Sequence, residues 1–153
     1  MLPHAHSTNT LNAVLPGTWK LISRRDCTAA GERRVEPSLG EDPIALLYYD
    51  RAGNFAAQFM KRDRSGPPLD ASAGSSNNSR AQGGYDAYFG SYTIDEAEGM
   101  VTQRLLGALS QENVGLVVTR KMSVEGDSLT IELETTSGKG EPLVRTLIWK
   151  RAG

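Results

Sequence analysis

The chain has few of the residues on which covalent stapling and nucleophilic catalysis depend. Among its 153 residues there is one cysteine, Cys27, so no disulfide can close within the chain, as suits a reducing compartment. Paired CxxC motifs are absent, and with them the usual structural zinc sites. The only histidines are His4 and His6, in a polar stretch with no third ligand nearby, which makes a poor metal site. Ser-His or Cys-His nucleophilic catalysis is not expected on this inventory. The Gly-x-Ser-x-Gly elbow, the Walker phosphate loop and the dinucleotide glycine fingerprint are also missing.

Charge of one sign is lacking too. Lysine and arginine total 17 against 18 aspartates and glutamates, a formal net charge of -1. A nucleic-acid or anionic-membrane partner is not expected from this balance. The longest unbroken apolar and aromatic run, Ile44 to Tyr49, is the length of a buried strand and far too short to span a bilayer. The first ten residues show no cationic region followed by an apolar one, so they do not read as a secretory leader. The expectation is a cytoplasmic protein without cofactor, monomeric or homodimeric.

What is present is alternation. Ser128 to Thr135 places Leu129, Ile131 and Leu133 against Thr130, Glu132 and Glu134, a period of two with one wet face. Strands are read at Thr18 to about Arg24, Ile44 to Tyr49, Asn54 to Met60, Tyr85 to Ile94, Met100 to Ala108, Leu116 to Val124, Ser128 to Thr135 and Leu143 to Lys150. A further short strand is read near Arg33 to Val35. Asp50-Arg51-Ala52-Gly53 and Glu125-Gly126-Asp127 have turn chemistry. Residues 1–14 read as a flexible arm or a short lead-in helix. Residues 61–84, with Pro67-Pro68 and a Gly/Ser/Asn run, read as a long loop within a barrel domain at 15–153. No long helical pattern separates the strands, so short turns favour antiparallel pairing. The fold class expected is all-β: an eight-stranded antiparallel up-and-down barrel, wide enough to hold one small ligand.

Several segments in order resemble the bacterial and fungal lipocalin-like domain family. They are Gly17-Thr18-Trp19-Lys20-Leu21-Ile22-Ser23, Tyr49 to Asn54 with Gln58 to Arg64, Tyr85 to Tyr92, Gly126-Asp127-Ser128-Leu129, and Leu147 to Arg151. The resemblance implies a barrel with an inner cavity. Some members lie in natural-product pathways, where the scaffold is thought to bind or rearrange a hydrophobic metabolite. It also implies a closed end where an arginine, here Arg151, packs over Trp19; a cation rests well on an indole face. One departure stands out. After Gly99-Met100-Val101-Thr102, similar sequences usually have a histidine, and this chain has Gln103, which cannot act as an imidazole base.

Inward parity selects the candidate site residues. Tyr88, Tyr92 and Arg120 are read as catalytic candidates, since phenols and a guanidinium can stabilise developing negative charge. Asp86 and Glu132 are the carboxylates read as partners for Arg120. Tyr49, Gln58, Met60, Gln103 and Arg64 are read as ligand contacts, Arg64 at a cavity mouth. On the strand from Asn54, the reading turns Gln58 and Met60 inward; the opposite parity would bury Phe55 and Phe59. Two functions fit. One is a cofactor-independent isomerase or cyclase of secondary metabolism, acting on a hydrophobic oxygenated metabolite. The other is a non-catalytic binding or carrier protein with the same pocket.

Overall fold

The computed structural model describes residues 10–65 and 81–153. The remaining parts of the N-terminal segment and of the 61–84 loop lie outside the described residues. The strands are β1 (Gly17–Cys27), β2 (Arg33–Arg34), β3 (Ile44–Tyr49), β4 (Asn54–Met60), β5 (Tyr85–Asp95), β6 (Met100–Ala108), β7 (Val117–Glu125), β8 (Ser128–Thr136) and β9 (Pro142–Arg151). From β3 to β9 each strand pairs antiparallel with the next, and β1 pairs with both β3 and β9, so eight strands close a barrel. Closure removes the sheet edges that would otherwise invite association. β3, β4 and β6 keep the bounds read from sequence, β7 is displaced by one residue, and β1, β5, β8 and β9 run a residue or more beyond; β1 continues to Cys27 because its far half pairs with β9.

One end of the barrel is sealed. Residues 11–14 form a helical turn, α1 (Leu11–Val14), capped by Thr10, and Leu11 is buried. The Leu11 and Asn12 amides donate to the Glu96 carboxylate at 2.9 and 2.7 Å. These residues therefore belong to the barrel's closed end and not to a loose arm. The Trp19 indole N–H donates to the Leu15 carbonyl at 2.9 Å. The Arg151 guanidinium lies 4.3 Å from the centre of the Trp19 ring and donates to the carbonyls of Pro16 and Val14. Gly17 is required beneath it. Its φ is +143°, and a Cβ there would lie 2.6 Å from an Arg151 nitrogen.

The other end is closed differently. β3 pairs with β1 only over Gly17–Lys20. Beyond that, β1 carries a bulge between Leu21 and Ser23, and its outer end pairs with the two-residue β2. Residues 35–43 then pass as a strap over this gap, with Ser38 and Leu39 buried. Glu36 shapes the strap: its carboxylate accepts from the Ser38 and Leu39 amides at 2.8 and 3.2 Å.

Candidate functional site

The barrel encloses a cavity of about 50 Å³. That is room for a few waters, and less than the ~150 Å³ that accepts a benzene ring. Its apolar wall is Leu47, Phe59, Ile131, Leu133, Leu147 and Trp149, with Leu39 of the strap at the open end. Its polar wall is Arg24, Asp86, Tyr88, Gln103, Arg120 and Arg145. Parity explains most of this. Asp86 and Tyr88 lie on one face of β5, Arg120 sits between buried Val118 and Met122 on β7, and Arg145 between buried Leu143 and Leu147 on β9.

Arg24 needs a further cause. Trp19 and Leu21 face inward, so strict alternation would turn Arg24 and Asp26 out. The bulge at Leu21/Ser23 spends one extra residue, the exposed Ile22, and brings Arg24 and Asp26 inside. A bulge re-aims side chains in this way.

Two buried ion pairs stand beside the cavity. Arg145 donates to both oxygens of Asp26, at 2.7 and 2.9 Å. Arg24 meets the Glu36 carboxylate of the strap at 3.5 Å. Burial, followed by repulsion from Arg145, lowers Arg24 to about 10, and burial also lowers Arg120. Asp86 is only 2 % exposed. Burial pushes it up to about 6, opposed by an N–H of Ala87 and by the charge of Arg24. Its Oδ1 has no hydrogen-bond partner among the described residues, and neither does the Trp149 indole nitrogen. Tyr88 is pushed up to about 12, first by desolvation and then by the charge of Asp86.

Three of the expected site residues line the cavity: Tyr88, Gln103 and Arg120. Tyr49 stands one layer below. It is buried, donates to Gln103 Oε1 at 2.5 Å, and so fixes which way that amide points. Desolvation raises its hydroxyl well above the ordinary tyrosine value.

The others are elsewhere. Gln58 and Met60 take the outward parity: Gln58 is exposed while Phe55, Ala57 and Phe59 are buried. Two phenyl rings bury more apolar area than an amide and a thioether, and that decides the face. Tyr92 is on the inward face but about 13 Å along the strand from Tyr88, at ~3.3 Å per residue. There it packs edge-on against Tyr49, with ring centres 4.9 Å apart, and donates to the Asp50 carbonyl at 2.5 Å. It braces the closed end, away from the cavity. Arg64 is at the open end, but it is exposed, donates to the Gly83 carbonyl at 2.9 Å and lies over Tyr85. It does not line the cavity. Glu132 points outward and is no partner for Arg120, whereas Asp86 shares the cavity with it.

The sequence reading missed Arg24, Arg145 and Trp149 as site residues, and took Asp86 only as a possible partner. Asp86 and Arg145 carried a signal: Asp86 shares parity with Tyr88, read as inward, and Arg145 alternates with Leu143 and Leu147. Among the described residues, no group of three His, Cys, Asp or Glu side chains is placed to hold a metal ion. Among the described residues, no helix is long and apolar enough to cross a membrane.

A family model described as a lipocalin-like domain matches residues 16–152. That stretch runs from the first residue before β1 to the one after β9, so it includes every strand of the barrel and every cavity-lining residue. No curated protein matches the chain.

Proposed function

The chain belongs to the lipocalin-like domain family, and from that premise we propose that it binds a small, mostly apolar molecule bearing an oxygen function inside the barrel. One observation carries this reading. Six polar side chains converge on a cavity whose other walls are leucine, isoleucine, phenylalanine and tryptophan. Ligand sites of this kind combine apolar contact with a few placed polar groups. A purely structural barrel would gain from filling the same space with apolar side chains, since buried ion pairs contribute little to stability.

Access runs through the strap. With Leu39 in place the cavity is small, so any ligand larger than a few waters takes the space of the Leu39 side chain. The Arg24–Glu36 contact holds the strap down. Calorimetric titration with cyclohexanone tests the reading. Binding is expected in the wild type, tighter in Leu39→Ala, with a negative heat-capacity change. No heat of binding in either protein would overturn it.

A second reading, an isomerase acting by proton transfer, is favoured by the placement of Asp86. A buried carboxyl near neutral pKa, beside a phenol and a guanidinium, has the groups for abstraction next to a carbonyl. Asp86 would take the proton as the C–H electron pair moves into an enolate, whose oxygen Arg120 and Tyr88 would hold. The proton then returns at the same or a conjugated carbon. Deuterium exchange into cyclohexanone in D2O measures this step. Exchange above the buffer rate in the wild type and absent in Asp86→Asn supports catalysis; buffer-rate exchange with intact binding assigns the protein to binding alone.

A further inference from the structure

We propose that the cavity contains a hydroxyl subsite formed by Asp86 and Trp149, and that the ligand is a neutral, hydroxyl-bearing apolar molecule. The inference rests on the binding reading above and narrows it to a ligand class.

Two buried polar atoms on one cavity lack partners among the described residues. One, Asp86 Oδ1, is an acceptor; the other, Trp149 Nε1, is a donor. Both residues are almost fully buried, at 2 % and 1 % exposure, and both line the cavity. They are linked through one side chain. Phe59 is paired across the β4–β5 ladder with Asp86, and its ring meets that of Trp149 edge-on, 5.8 Å between centres. A buried polar group without a partner costs free energy, so a ligand that satisfies both atoms gains twice. A hydroxyl is the smallest organic group that both donates and accepts. It gives its proton to Asp86 and takes one from the indole.

Charge sets the second half of the proposal. Around the cavity the buried guanidinium groups are those of Arg24, Arg120 and Arg145. The buried carboxylates are Asp26 and Asp86, with the Glu36 side chain at 7 % exposure. With Asp86 ionised the two signs balance. An anionic ligand would bring an uncompensated charge into this interior, and so would a cationic one. A neutral molecule keeps the balance. The aromatic rings of Tyr88 and Trp149, each in contact with Phe59 at 6.3 and 5.8 Å between centres, favour a flat or ring-bearing body.

The experiment compares phenol with toluene, its near match in shape, and with anisole, which accepts but cannot donate. Each is titrated calorimetrically at pH 7.5 into the wild type, and into Leu39→Ala so that cavity size is not limiting. Phenol is expected to bind at least tenfold more tightly than either, although toluene is the more hydrophobic. In Asp86→Asn and in Trp149→Phe that preference should shrink severalfold or more, while toluene affinity stays within about twofold. A residue that only supports the fold would move all three probes together. Toluene or anisole binding as well as phenol, or a phenol preference that survives both substitutions, overturns the hydroxyl subsite and leaves the binding reading standing. No binding by any probe, in either wild type or Leu39→Ala, overturns both.

Discussion

The guanidinium of Arg145 grips both carboxylate oxygens of Asp26, across the β1–β9 ladder, with neither side chain more than 7 % exposed. A pair of this kind adds little net stability, yet each member is costly to leave alone. Asp26→Asn or Arg145→Leu should each destabilise the fold by about 3 kcal/mol or more, because a buried charge loses its counter-ion. The double variant Asp26→Asn/Arg145→Leu should lose less than the sum of the single changes. Urea unfolding of the four proteins measures the coupling. Additive losses would show that the pair does not act as a unit.

The stability of the protein should fall with rising pH through Asp86. The carboxyl stands at about 6 in the fold against an ordinary 3.8, raised chiefly by burial. A raised carboxyl favours the folded state while it is protonated, and that advantage is lost as pH climbs through the folded value. The full effect is about 3 kcal/mol, with about 2 kcal/mol of it falling between pH 4.5 and pH 8. Asp86→Asn cannot ionise and should escape the loss. Unfolding measured for both proteins at the two pH values should show the variant gaining on the wild type by that amount; parallel curves would contradict it.

At the closed end, Gly17→Ala should destabilise by about 1–3 kcal/mol. The added Cβ meets an Arg151 nitrogen at 2.6 Å, and the φ of +143° is one an alanine resists. Arg151→Lys should also lose stability, since a lysine cannot cover Trp19 and reach two carbonyls together. Thermal unfolding checks both. An unchanged midpoint in either would mean the closure is incidental.

Leu39→Ala tests the strap. Leu39 is buried at the open end of the cavity, so truncating it should cost about 2 kcal/mol or more. The same change should speed ligand entry. Stopped-flow measurement of toluene association should show a faster rate in the variant. An equal rate would place the entry route elsewhere.

Much of the fold was legible because it rests on local patterns. The alternation in β8, the Asp50–Gly53 turn and the hairpins need only neighbouring residues to be read. Trp19 and Arg151 lie at opposite ends of the chain, and their contact was legible through resemblance alone. The site was less legible, for physical reasons. In a barrel that holds polar groups, inside and outside both mix polar and apolar residues, so alternation alone does not choose between Gln58 and Phe59 on β4; the larger apolar area of the two phenyl rings does. The bulge at Ile22 hid Arg24 and Asp26, because one inserted residue inverts parity and leaves no mark in composition. Tyr92 has the right parity but the wrong depth, which only the strand register reveals. Asp86 and Arg145 were readable in principle. Charged residues at inward positions look improbable until their partners are known.

The central claim is that a small, mostly apolar molecule bearing an oxygen function binds in the barrel interior. Methyl-resolved NMR of the protein titrated with cyclohexanone tests it most directly. The account predicts saturable shifts concentrated on Leu39, Leu47, Ile131, Leu133 and Leu147, which line the cavity. Shifts confined to the exposed Leu106, Leu109 and Val117, or no shifts at all, would contradict it.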